Sequence, residues 1–268
     1  MEKLTVAILG AGPSAAYALA ACRSYGIEAE IITNRAPSVM FPGPFWLRLN
    51  PTGAPIPKQS MHIYSDGTSE NYLRKQWGDI DLSTVLTSFP TQARTELIYE
   101  PALVLTEMWK NSSVLMCSDI SDADIKDIAK DNDVVFVTFP TSKSRNALNK
   151  YAVKFPILSY SKSNKPERIP DTNFCLYVGT MESKFVRISY LFGRFHTEYP
   201  SDHIINQDII GDGILCYAPD TRPDTPEWDP TDVPAKNVYL IGRHAEWNRK
   251  VLSHDAYEKA KSIIEKLI

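Results

Sequence analysis

Apolar residues gather into short continuous runs near the two ends of the chain, and between them the pattern turns to alternation. Leu4 to Leu9 is one such run and predicts a buried strand. The turn Gly10-Ala-Gly-Pro-Ser-Ala follows, and Ala15, Ala18, Leu19 and Cys22 then recur at helical spacing. Gly26 marks the helix end, and Ala29 to Ile32 predicts a second strand. The N-terminal part therefore reads as a βαβ unit. Near the other end, Val238-Tyr-Leu-Ile-Gly predicts a last buried strand. Ser253 to Leu267 predicts a closing helix with Ala256, Ala260, Ile263, Ile264 and Leu267 on one face.

The middle is different. Pro37 to Pro57 carries six prolines with Phe41, Phe45 and Trp46, which predicts loops and short edge strands rather than helix. Glu70 to Trp77 and Pro101 to Trp109 predict helices, the second with proline in its first turn. Val114 to Cys117 predicts a short strand, Ser121 to Ala129 a helix with Ile125 and Ile128 inward, and Val134 to Thr138 a buried strand. Phe174 to Val178 and Phe185 to Phe192 alternate apolar and polar residues around Thr180-Met-Glu-Ser, which predicts an antiparallel hairpin. Pro219 to Pro234 reads as a surface connection. The fold class expected is α/β, a Rossmann-type domain with an inserted, reduced β-rich lobe. Residues 1–40, 100–145 and 235–268 are assigned to the first, and 41–99 and 146–234 to the second.

Composition narrows the function classes. The chain has 268 residues, 43% of them hydrophobic and 23% charged, with a net charge of −3. No stretch approaches the ~20 apolar residues of a membrane helix. An apolar strand begins almost at once, so no secretory leader is expected. No basic run is present, so nucleic-acid capture is not predicted from charge. Cys22, Cys117, Cys175 and Cys216 are scattered without a Cys-x-x-Cys pair, which speaks against a disulfide framework or a dithiol centre. No His/Cys/Asp cluster has metal-ligand spacing, so no metal is expected. A cytoplasmic protein acting on a small-molecule substrate is the expectation; nothing in the sequence sets its oligomeric state.

The chemistry-bearing motif is Gly10-x-Gly12-x-x-Ala15, placed directly between a strand and a helix. Gly10 permits the sharp turn, Gly12 lets a pyrophosphate approach the backbone, and Ala15 permits close helix–strand packing. Pro13 and Ser14 complete the turn. The helix N-terminus offers N–H groups and partial positive charge to phosphate. An acidic residue usually ends the second strand and holds the adenosine ribose, but here that end reads Thr33-Asn34-Arg35. Thr33 or Asn34 can bond a ribose hydroxyl, whereas Arg35 suits an extra phosphate. The residues leave FAD and NADP open.

The segment from Val238 through Gly242-Arg243 to Leu252-Ser253-His254-Asp255 brings in a resemblance. With the N-terminal glycine turn, it resembles FAD-dependent oxidoreductases of the amine-oxidase and UDP-galactopyranose-mutase group. Its organisation is also similar to small FAD-dependent oxidoreductase-like proteins encoded by bacteriophages, which would place it in host cytoplasm. The resemblance implies FAD as cofactor, with Gly242 at the close approach and Arg243 near the pyrophosphate and ribityl chain. It also implies Leu252, Ser253 and His254 at the flavin end, and the strand ending at Met116 beside the adenine. Ser253 is the candidate helix cap, and backbone N–H groups after it would face the flavin O2. His254 is the candidate catalytic acid or base, unless its role is only capping.

Other residues carry two readings each. Trp46, Arg48 and Asn50 alternate, so they would share a strand face, either in a flavin or substrate pocket or at an exposed edge. His62 and Tyr64 read as structural. Arg187 and Ser189 would face solvent or a cleft, while Arg194 and His196 read as anion ligands or a solvated strand end. His244 and Glu246 flank the late turn, and Trp247 is placed to cover a ring. Gly12-Pro-Ser-Ala-Ala lacks the second glycine of a nucleophile elbow, which disfavours a hydrolase. The expected function is an FAD-dependent oxidoreductase of amine- or amino-acid-oxidase type. The alternatives are a mutase-type flavoenzyme using reduced flavin, and a nucleotide-binding protein without catalysis.

Overall fold

The computed structural model describes residues 4–37, 39, 45–78, 89–141, 152–161, 171–200, 212–221, 233, 235–246 and 251–268, with backbone alone for 152–161 and 212–221. Two sheets organise these residues, one of five strands and one of seven.

The first sheet is parallel. It contains β1 (Val6–Leu9), β2 (Ala29–Thr33), β5 (Val114–Met116), β6 (Val134–Val137) and β12 (Val238–Leu240), in the order β12-β6-β1-β2-β5. Its central strands are continuous apolar runs because both faces are covered. Val6, Ile8, Ile31, Val134 and Phe136 pack on one face with α1 (Pro13–Ser24), α3 (Pro101–Trp109) and the last helix, α5 (Asp255–Ile264). Ala7, Leu9, Ile32, Val135, Val137, Val238 and Leu240 pack on the other face with α4 (Asp122–Lys130). Helix α1 is buried from Ala15 to Cys22, which its small residues permit, and α5 lies against it through Ala256, Ala260 and Ile264. Helix α4 starts in a capping box: the Ser121 hydroxyl accepts from the Asp124 N–H while the Asp124 carboxylate accepts from the Ser121 N–H.

The second sheet is mixed, in the order β11-β7-β10-β9-β8-β3-β4. Its strands are β3 (Gln59–Gly67), β4 (Arg94–Ile98), β7 (Ala152–Ser161), β8 (Phe174–Gly179), β9 (Arg187–Leu191), β10 (Arg194–Glu198) and β11 (Asp212–Thr221). The expected hairpin is β8 paired antiparallel with β9, and β3 joins β8 in parallel. Helix α2 (Ser69–Trp77), capped by the Thr68 hydroxyl, packs beside β8, and Lys75 donates to the carbonyls of Val178 and Phe185. Residues Pro219 to Thr221, expected in a surface connection, belong to β11. Most of the rest of that connection lies outside the described residues.

Two expectations for this sheet are corrected. Arg187 does not face solvent: it pairs with Glu198 directly across β10 and lies 5.7 Å from the centre of the Tyr177 ring. His196 is not at a solvated strand end; it is 3% exposed, opposite the equally buried Ser189. Alternation suggested an open polar face, but Tyr72 of α2 packs on Tyr177 there, with ring centres 5.8 Å apart, and Trp46 joins the same cluster.

The segment from Phe45 to Asn50 joins the two sheets. It is not a strand sharing one face, as its alternation suggested; only Leu47 forms a bridge, with Tyr99. Leu47, with Phe45 and Leu49, packs into the core around α1 and α3, whereas Trp46 packs on Met61, Ile63 and Tyr177 of the second sheet. The Tyr17 hydroxyl donates to the Leu49 carbonyl and fixes the segment to α1. Asn50 turns back locally, accepting from Thr52 and donating to Ala54.

Candidate functional site at the carboxyl edge of the parallel sheet

The turns that follow β1, β2, β5, β6 and β12 all lie at one edge of the parallel sheet, where open α/β sheets present ligand sites. Gly10 has φ 115°, and its N–H donates to the Ile32 carbonyl at 2.9 Å. A Cβ on Gly10 would collide with the Thr138 hydroxyl, which itself donates to the Leu9 carbonyl. Gly12 is the N-cap of α1 in an extended conformation, with Pro13 at the first helical position. That end of α1 has no side-chain cap and no acidic residue in its first turn. A Cβ on Gly12 would meet nothing nearer than Arg35 Nη2, at 4.0 Å. Ala15 is fully buried. The two glycines therefore do different work: Gly10 lets two strands close, and Gly12 leaves open space over an uncapped, electropositive helix end.

The last strand closes this edge. Gly242, at φ 88°, packs so tightly on Ser14 that a Cβ would overlap the serine hydroxyl. Its N–H donates to Glu246 Oε1 at 2.8 Å, and Glu246 is paired at 2.9 Å with Lys259 of α5. Arg243 Nε donates to the Val251 carbonyl at 3.0 Å, bridging the ends of the loop. Trp247 lies outside the described residues. His244 is exposed.

At the end of β2, the Thr33 side chain is buried and its hydroxyl closes a local turn with the Arg35 carbonyl. Asn34 and Arg35 are exposed. Asn34 Nδ2 donates to Asp119 Oδ1 at 2.7 Å. Met116 pairs in register with Thr33 and is 55% exposed. Asp119, three residues beyond Met116, is a member of this edge that sequence reasoning missed.

Ser253 does not cap the closing helix. Helix α5 begins at Asp255, and its N-cap position, His254, has helical backbone and no side-chain cap. The Asp255 carboxylate instead accepts from the Leu252 N–H at 2.6 Å, and its other oxygen lies 3.6 Å from His254 Nε2. The aspartate beats the serine because it reaches back to an N–H before the helix. Trp46 packs against the second sheet, and there Arg48 lies 5.6 Å from its ring centre and pairs with Glu96.

No protein-family model and no curated protein sequence matches the chain. Its fold matches solved structures. L-proline dehydrogenase from P. horikoshii aligns with TM-score 0.52 at 11% identity, over 99% of this chain and 94% of that one. Glycine oxidase from Bacillus cereus ATCC 14579 aligns with TM-score 0.50 at 11% identity, over 99% and 96%. CtdE in complex with FAD aligns with TM-score 0.50 at 10% identity, over 98% and 84%. The chain has the Rossmann-type α/β fold of these flavoenzymes. Among the described residues no helix is long and apolar enough to cross a membrane, and no three His, Cys, Asp or Glu side chains gather as metal ligands.

Proposed function

We propose that the chain is an FAD-dependent oxidoreductase that removes two electrons from a C–N bond of a small polar substrate, in the manner of an amine or amino-acid oxidase. One observation carries this reading. Gly12 leaves open space at the uncapped N-terminus of α1, while Gly10 and Gly242 are packed closed on either side. That is the arrangement a dinucleotide pyrophosphate needs. The shared fold with glycine oxidase, L-proline dehydrogenase and FAD-bound CtdE supports it.

In this reading Gly12, Pro13, Ser14 and Ala15 receive the pyrophosphate, Arg243 stands beside it, and Leu252 to His254 lie toward the flavin. Bound FAD supplies the two-electron acceptor, and dioxygen or a partner protein restores it. The chain's own part is to bind, orient and exclude water. His254 is the group proposed to move the substrate proton, with the Asp255 carboxylate 3.6 Å from its Nε2.

The second sheet supplies the substrate side. Trp46 Nε1, Arg187 Nε and the Ser189 hydroxyl are buried and find no hydrogen-bond partner among the described residues. Register places Arg187 and Ser189 on the sheet face that carries Cys175 and Tyr177, and Trp46 packs on that same face. Buried donors left unpaired are costly, about 1–3 kcal/mol each. A substrate with acceptor oxygens, such as an amino acid carboxylate, satisfies them.

The test is spectroscopic. Purified protein is expected to be yellow, or to quench and shift added FAD, and then to consume oxygen with small amines or amino acids. A chain that neither quenches FAD nor gains thermal stability from it overturns the proposal. Turnover only after dithionite reduction would replace the oxidase reading with the mutase-type one.

A further inference from the structure

The end of β2 lacks the acidic side chain that a dinucleotide's adenosine ribose requires, and the structure puts a carboxylate there by another route. Strand β5 runs parallel to β2 with Met116 opposite Thr33, and the Cys117 N–H extends the pairing to the Thr33 carbonyl at 2.9 Å. The chain then turns, and Asp119 comes beside Asn34, whose Nδ2 donates to Asp119 Oδ1 at 2.7 Å. We propose that Asp119, held by Asn34, is the carboxylate that binds the ribose hydroxyls of the bound dinucleotide's ADP half, and that Arg35 serves the pyrophosphate rather than a 2′-phosphate. This rests on the FAD reading above.

The chemistry of the pair supports the assignment. An ionised carboxylate has about four acceptor positions, and Asn34 occupies one. Asp119 is exposed, so the rest face solvent and can accept from two adjacent hydroxyls. Asn34 alone is the weaker ligand, because one of its two amide N–H donors is engaged by Asp119 and an amide carries no charge. The same negative charge repels a phosphate on the ribose. Arg35, whose identity left a phosphorylated ribose open, points elsewhere: its Nη2 lies 4.0 Å from where a Cβ on Gly12 would stand. A guanidinium there sits over the glycine turn, where it adds to the positive end of α1.

The experiment titrates the full-length protein with FAD, and separately with ADP and its 2′-phosphorylated analogue as competitors. Wild type is expected to prefer ADP over the 2′-phosphate by tenfold or more, on the order of one charge repulsion at close range. Asp119→Asn should weaken FAD by about tenfold, the scale of a lost charged hydrogen-bond partner, and erase the preference. Asp119 is exposed, so thermal stability should hold. Exchanging the pair, Asn34→Asp with Asp119→Asn, returns the charge to the same edge and should restore both affinity and preference. Wild-type affinity and wild-type preference in Asp119→Asn overturn this inference while leaving the FAD reading intact. A wild type that binds neither FAD nor ADP overturns both.

Discussion

Ser14, on the first turn of α1, occupies the space that any side chain at Gly242 would need. The contact ties the last strand of the parallel sheet to the helix that follows the first, so the two sequence ends meet at one point. Gly242 also has φ 88°, a backbone region that costs other residues roughly 1–2 kcal/mol. Overpacking against Ser14 adds about 1–3 kcal/mol. Gly242→Ala should therefore lower stability by about 2–5 kcal/mol in urea unfolding. Adding Ser14→Gly should recover the steric part and leave the backbone part. Strictly additive losses in the double variant would show that the two residues do not touch.

The two turn glycines should separate folding from binding. Gly10→Ala drives a Cβ into Thr138 at φ 115° and should unfold or severely destabilise the chain. Gly12→Val meets only the tip of Arg35 and has ordinary backbone, so the variant should fold. It should also fail to bind FAD, since the side chain fills the space above the helix end. Circular dichroism melts beside FAD titration read both effects. A folded Gly12→Val that retains stoichiometric FAD would make the turn purely structural.

How much of this was legible in the sequence follows from burial. Strands β1, β2, β6 and β12 are covered on both faces, so they appear as apolar runs and were read correctly. Strand β3 was not, because its outer residues, Tyr64 to Gly67, are exposed and mix Ser, Asp and Gly. Strand β7 was missed too, with Pro156 in its middle. The polar face of β9 and β10 looked solvated because Arg187 and His196 are polar; in the fold Arg187 is paired with Glu198 from the neighbouring strand and His196 is 3% exposed. Asp119 was invisible for a similar reason. It stands 85 residues from Asn34 and follows a three-residue strand whose outer side chains are exposed, so no local pattern marks it.

His196 should make the fold acid-sensitive. Burial, then the nearby Arg194 and Arg187 charges, push its pKa down from 6.5 to about 4. Between these values the unfolded chain binds a proton that the native chain refuses, so stability falls as pH drops through this window and the loss is complete below it. The shift corresponds to about 3 kcal/mol at most. Urea unfolding at pH 7.5 and 4.5 should show a smaller acid loss in His196→Gln than in wild type. Identical losses in the two proteins would mean that the imidazole is protonated in the native state.

Arg187 is held protonated: burial opposes its charge, but Glu198 facing it across the strand pair more than compensates. Removing one partner strands the other in a covered site, so Glu198→Ala should cost about 3–5 kcal/mol. A Glu198→Ala/Arg187→Met double variant should recover much of that, because no uncompensated charge remains. Equal stability of the single variant and wild type would place the pair in free contact with water.

Arg243 braces a loop in the structure and meets the cofactor in the proposal, and the two roles predict different data. Its Nε donates to the Val251 carbonyl at 3.0 Å and so braces the loop between β12 and α5. In the proposal its guanidinium also stands beside the FAD pyrophosphate, making charge-assisted bonds that a point charge cannot copy. Arg243→Ala should then weaken FAD by about 2–3 kcal/mol, the range for a charged hydrogen-bond partner. Arg243→Lys should restore part of the affinity through its charge, while the brace to Val251, which needs Nε, stays lost. If bracing is the whole role, both variants should lower thermal stability alike, and FAD affinity should change by well under ~1 kcal/mol in either. Titration and melting of wild type and both variants separate the cases: affinity graded Arg, Lys, Ala places the guanidinium on the cofactor, and flat affinity with lowered melting confines it to the loop.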